Sequence, residues 1–94
     1  MNVGRRLKMP VETAELVRSL HPHLKRKIKS ALQTIMMDDP FAGKALKEEL
    51  QGYRSFRVGK FRVVYGLTKD IIEIVAIGSR KTIYEETLKL LKKD

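Results

Sequence analysis

Two apolar runs separated by only two residues constrain this chain more than any other feature. Tyr53–Val58 and Phe61–Leu67 are rich in aromatic and β-branched residues, and Gly59-Lys60 lies between them. A two-residue loop with glycine first reads as a type II′ hairpin. The loop also sets the register. Val58 must pair with Phe61, and Arg57 must then pair with Arg62. Period-two alternation sorts the side chains. Phe56, Val58, Phe61, Val63 and Tyr65 form one face, read as the core face. Tyr53, Ser55, Arg57, Arg62 and Val64 form the other. Like charges directly opposed across a strand pair cost on the order of 0.2–1 kcal/mol. Two arrangements relieve this: an anion held between the guanidiniums, or an ordinary solvated face with the two side chains splayed apart. Arginine suits phosphate because its planar fork makes two parallel hydrogen bonds.

Around the hairpin the periodicity changes. Arg5–Met9 fits a short first strand. Pro10 suits a first helical turn, and Val11–Leu20 carries an apolar stripe of Ala14, Leu16, Val17 and Leu20. Pro22–Met37 reads as a second helix, with Leu24, Ile28, Leu32, Ile35 and Met36 on one side. Pro40 biases Asp39 away from helical angles and ends it. Residues 41–52 read as a connector with one helical turn at Lys44–Leu50. Ile71–Ile77 is a third strand after the Thr68–Asp70 turn, and Gly78 ends it. Tyr84–Lys93 is a short last helix. The expected fold is therefore α+β in one domain spanning residues 1–94: an N-terminal αα-hairpin on a small antiparallel sheet. That sheet is a three-strand meander plus the short N-terminal strand.

Charge narrows the function. Twenty Lys/Arg against 11 Asp/Glu give 94 residues a net charge of +9. It is spread over both halves, +6 in residues 1–47 and +3 in residues 48–94. This is a folded basic surface, suited to nucleic acid, an anionic membrane surface or an acidic protein. The absence of cysteine excludes a disulfide framework, a thiolate zinc site and cysteine catalysis. No apolar run approaches the roughly 18–20 residues of a membrane span. The N-terminus lacks an apolar signal region, so a cytoplasmic protein without membrane association is expected. His21 and His23 flank Pro22 without a third ligand, which favours surface or capping roles over a metal. Glu48-Glu49 and Glu85-Glu86 are adjacent pairs that do not face each other on a helix.

If the third strand returns antiparallel to the second, Arg80 comes back beside Phe61 and Arg62. Arg57, Arg62 and Arg80 then converge at one end of the sheet, with Tyr84 in reach. Arg54, Lys60 and Lys81 are the neighbouring cations. Lys25, Arg26 and Lys29 on the second helix offer either a solvated face or a grip on nucleic-acid phosphates.

The segment GYRSFRVGKFRVVY at Gly52–Tyr65, with IVAIGSRKTIY at Ile74–Tyr84, resembles the RelE/ParE superfamily of toxins from type II toxin–antitoxin systems. The order of elements resembles it over nearly the whole chain. That resemblance implies a RelE-like mRNA endonuclease that inhibits translation at the ribosomal A site, with its 16S RNA, and needs no metal or cofactor. It implies catalytic roles for Arg57, Arg62, Arg80 and Tyr84. Arg62 would hold the scissile phosphate, Arg80 would act as general acid or phosphate clamp, and Tyr84 would stack on a base or help activate the 2′-hydroxyl. Arg54, Lys60, Lys81, Lys25, Arg26 and Lys29 are the expected RNA contacts. A cognate antitoxin would complete a hetero-oligomer, and Leu88, Leu90 and Leu91 on the last helix either form an exposed apolar seam for it or close the core. Ser55 and Ser79 depart from the family pattern, where a basic residue and a histidine are usual. The alternatives are a ParE-like gyrase inhibitor without nuclease activity, or a non-toxic basic binding module.

Overall fold

A computed structural model describes residues 6–92 of the chain. Its elements run β1 (Arg6–Lys8), α1 (Val11–Ser19), α2 (Pro22–Gln33), β2 (Lys44–Ala45), β3 (Tyr53–Val58), β4 (Phe61–Leu67), β5 (Ile71–Ser79) and α3 (Ile83–Lys92). The sheet order is β1-β5-β4-β3-β2. The meander β3-β4-β5 is antiparallel and forms its centre, in the register that the two-residue loop dictates. Gly59 has φ 60, and Lys60 is not among the positive-φ residues, as a type II′ turn requires.

Two strands differ from expectation. β1 runs parallel to β5, with Leu7 beside Ile72, so the sheet is mixed. The whole αα-hairpin forms the first part of the crossover that a parallel return requires. The connector also holds a strand where one helical turn was expected. Lys44 and Ala45 pair with Ser55 and Arg54, and Leu46 N–H donates to Tyr53 O at 2.9 Å. Helical geometry is confined to a 3₁₀ turn at Glu48–Leu50, opened by Glu48 at φ 57.

The second helix follows the apolar pattern and the first departs from it. His21 caps α2, its Nδ1 accepting from His23 N–H at 3.1 Å, and Pro22 takes the first turn. Ile28, Ala31 and Leu32 are buried. The helix then widens into a π turn at Thr34–Asp38 that buries Ile35. In α1 the buried positions are Thr13 and Val17. Leu16, expected in that stripe, is exposed, because the short helix is rotated to turn Thr13 inward.

Both faces of the sheet carry a core. On one face Ile28, Leu32 and Ile35 meet Val58, Val63, Tyr65, Ile72, Ile74 and Ile77. On the other, α3 lays Ile83 against Val64, Val75 and Ala76, with Tyr53, Tyr84 and Leu91 at the margin. The hairpin face read as non-core is therefore half covered by α3. A bulge makes this possible. Val64 pairs with Ala76 but Tyr65 with Ile74, so Val75 is the extra residue. Val75 and Ala76 then both serve the α3 side, while Ile74 and Ile77 serve the other.

A buried latch ties residues 40–43 to the sheet. Tyr65 is fully buried. Its hydroxyl donates to Pro40 O at 2.8 Å and accepts from Gly43 N–H at 2.9 Å. Burial raises its pKa above the ordinary value of 10.0, the Gly43 N–H and the Arg54 charge working against the shift. The sign follows from linkage. From about pH 10 upward the unfolded chain releases this proton and the native chain keeps it, so stability falls as pH rises. In alkaline urea titrations Tyr65→Phe should show a shallower loss of stability above that pH than the parent. Equal slopes would mean the phenol ionises freely in the native state.

Candidate nucleic-acid interface

The site is built at the Gly59-Lys60 end of the sheet. Arg57 pairs with Arg62 across β3 and β4, and Arg62 pairs with Gly78 on β5. Next to a two-residue loop the 57–62 pair is the non-hydrogen-bonded kind, whose side chains stand close together. Arg57 is exposed and Arg62 half-buried. Arg62 lies on β4 between two strands, whereas Arg57 lies on β3 beyond the end of β2. A Cβ at Gly78 would lie 3.0 Å from Glu86 Oε1 and 3.1 Å from Ile83 Cδ1. Glycine thus lets the first turn of α3 settle on the sheet beside Arg62. The Arg62 Nε is buried and has no hydrogen-bond partner, which is unusual for an arginine. A buried charged donor without an acceptor costs free energy that a solvated side chain avoids.

Arg80 returns to this end as the antiparallel reading requires. Phe61 pairs with Ser79, and Arg80 N–H donates to Lys60 O at 3.0 Å. Ser79 Oγ accepts from Lys81 N–H at 3.2 Å, fixing the turn that carries both cations. Arg57, Lys60, Arg80 and Lys81 share one shallow depression of about 210 Å³ with Gly59 and Ser79. Tyr84 lies farther along the same face. It is half-buried, and its hydroxyl donates to Ser55 Oγ at 3.2 Å. Ser55, 2 % exposed, is two residues from Arg57 on that face. A long basic side chain at position 55 would fill the space the phenol uses.

Other expected contacts lie elsewhere. Arg54 is turned inward. Its Nη1 donates to Gly43 O at 2.6 Å and to Phe41 O at 3.2 Å, and its guanidinium stacks 4.9 Å from the Phe41 ring centre. It belongs to the latch around Tyr65, away from the depression shared by Arg57 and Arg80. On α2, Lys25 is half-buried and Arg26 and Lys29 are exposed. Lys27, outside that expected set, borders β3. Residues two apart on a helix point about 200° away from each other, so Lys25 and Lys29 face away from Lys27. Leu88 is half-buried, Leu91 packs on the α3 core, and Leu90 is 47% exposed. Among the described residues no three His, Asp or Glu side chains gather as metal ligands, and no helix is long and apolar enough to cross a membrane.

A mixed sheet clasped by an αα-hairpin and a short last helix is the RelE-like fold. Residues 12–84 match the family model described as ParE toxin of type II toxin–antitoxin system, parDE. The chain belongs to that family, within the RelE/ParE superfamily, and is a type II toxin. Solved structures agree on the fold. A variant of the Escherichia coli toxin RelE in the free state superposes with TM-score 0.73 at 14% identity, over 93% of this chain and 97% of that one. The RelBE2 toxin–antitoxin complex from Mycobacterium tuberculosis gives 0.70 at 21%, over 83% and 100%. The YoeB-YefM complex from Staphylococcus aureus gives 0.68 at 21%, over 81% and 97%. No curated protein matches the chain by sequence.

Proposed function

We propose that the chain is a RelE-like endoribonuclease that cuts mRNA at the ribosome. The observation that carries this reading is the arginine row: Arg62 stands opposite Arg57 with its Nε buried and unpartnered. A phosphate beside the two guanidiniums would neutralise the opposed charges, and a small shift of the Arg62 side chain would present its donors to it. In the reaction, the 2′-hydroxyl attacks the adjacent phosphorus and the bond to the 5′-oxygen breaks. The products are a 2′,3′-cyclic phosphate and a 5′-hydroxyl. The 2′-hydroxyl loses a proton and the leaving oxygen gains one. The protein must align the backbone and stabilise the added negative charge on phosphorus. Arg62 and Arg57 do the second, and Arg80 with Lys81 clamps the neighbouring phosphates. Arginine's pKa above about 12 suits it to charge stabilisation better than to proton donation. Tyr84, held by Ser55, orients the nucleotide that carries the 2′-hydroxyl. The partners under this reading are mRNA, the ribosomal A site and a cognate antitoxin that contacts Leu88 and Leu91.

The test is induced expression followed by mapping of mRNA 5′ ends, with purified ribosomes as a second assay. New ends in translated codons support the reading, and growth arrest without them overturns it. Tyr84→Phe keeps the ring but loses its bond to Ser55. It should lower cleavage by up to about 100-fold, the scale of a lost orienting contact. Unchanged cleavage would remove the hydroxyl from the mechanism.

A second reading is favoured by the matched family model itself: a ParE-like inhibitor of DNA gyrase. It predicts loss of supercoiling by purified gyrase and no RNA cleavage.

A further inference from the structure

A second groove meets the arginine cluster from the other side. Lys27, Ser30 and Thr34 line it on the α2 side, and Phe56 and Arg57 on the β3 side, around about 270 Å³. Arg57 also borders the depression that holds Lys60, Arg80 and Lys81. The two hollows therefore adjoin at a single side chain. The strand edge here is open. β2 stops opposite Ser55, so β3 has no neighbouring strand at Arg57. Lys27 and Arg57 are both exposed, and Phe56 is half-buried.

We infer that this groove is a subsite for the same single-stranded RNA that enters the arginine cluster, extending the contact across Arg57 onto α2. The inference rests on the nuclease reading for the cluster and adds a path for the strand beyond it. Charge and chemistry fit a polynucleotide. Lysine and arginine at the two walls match successive phosphates. The hydroxyls of Ser30 and Thr34 can receive or donate to sugar and phosphate oxygens; Thr34 already donates to Ser30 O at 3.1 Å and keeps its lone pairs. A half-buried phenylalanine at the strand edge offers a stacking surface that accepts any base. Stacking and phosphate contacts are common to every nucleotide, so the contact favours length over sequence.

The full-length chain would be tested by fluorescence anisotropy with uncleavable 2′-O-methyl oligoribonucleotides, a trimer and an octamer, over a salt series. Lys27→Gln should weaken the octamer roughly three- to ten-fold and lower its salt slope by about 0.7, the share of one single-strand phosphate contact. The octamer's advantage over the trimer should shrink accordingly. Lys69→Gln, in the β4–β5 turn at the far end of the sheet, serves as the control and should behave as the parent. Equal behaviour of the two variants overturns the inference, as does failure of the parent chain to bind the octamer at low salt. Binding of poly-glutamate but not RNA would assign the groove to an acidic protein segment and overturn it too. Failures stay separable. Lys27-dependent RNA binding without any cleavage refutes the nuclease reading and leaves the groove standing. Mapped cleavage with Lys27→Gln matching Lys69→Gln refutes the groove alone.

Discussion

Arg62→Ala is expected to abolish toxicity while leaving the protein at least as stable. Removing one preorganised donor from a developing negative charge typically costs roughly 100- to 1,000-fold in rate. Arg62 is the central member of the row, between Arg57 and Gly78, so the upper part of that range applies. The stability half of the expectation has a separate cause. The Arg62 Nε is buried without an acceptor, and a group in that condition costs about 1–3 kcal/mol. Alanine removes the orphan donor and the repulsion from Arg57, and loses the packing of the stem. A melting temperature no lower than the parent's, with cleavage lost, is the signature of a group kept for function against stability. Cleavage retained within a few fold would remove Arg62 from the phosphate site. A steep fall in stability would mean that the guanidinium serves the fold instead.

Gly43→Ala should produce the largest loss of stability of any small substitution in the chain. A Cβ at this position would sit 2.7 Å from the Tyr65 hydroxyl, 2.9 Å from its ring and 3.1 Å from the backbone carbon of Ser55. Neither side can yield easily. Tyr65 is fully buried and bonded to Pro40 and Gly43, and Ser55 lies in the central hairpin. Overpacking costs about 1–3 kcal/mol. Displacing Tyr65 would also strand buried polar groups at about 1–3 kcal/mol each. A total near 3–5 kcal/mol corresponds to a fall in melting temperature of roughly 12–40 °C for a domain this small. Gly52→Ala is the contrasting case. Its φ of 98 strains alanine, but nothing lies within 4 Å, so the cost is about 1–2 kcal/mol of backbone strain alone. Equal melting curves for the two variants would show that the 40–43 segment gives way instead of the tyrosine.

The hairpin was legible because its information is local. A two-residue loop leaves one register open, and that register alone brings Arg57 against Arg62. Arg80 followed from the next tight turn by the same logic. The β5 bulge was not legible: Val75 and Ala76 are both apolar, and an apolar run gives no sign of which residue is extra. The setting of Arg54 was not legible for a related reason. Strand alternation assigns a face, but only the return of residues 41–43 supplies the two carbonyls that hold its guanidinium. A basic helix face shows no preferred lysine in sequence, and Lys27 is set apart only by the β3 residues that line the same hollow.

What the amino-acid sequence determined by itself is the hairpin, its register, the helical stripes and the excess of positive charge. Each depends on residues within a turn or two of one another. Only the tertiary structure decided that β1 joins β5 in parallel, that α3 covers the arginine face over Gly78, and that Tyr84 rests on Ser55. These contacts join residues far apart in the chain, and closing such loops is decided by the packing of both faces at once. The same closure separates one arginine from the rest of the 20 Lys and Arg side chains: the Arg62 Nε is buried without a partner.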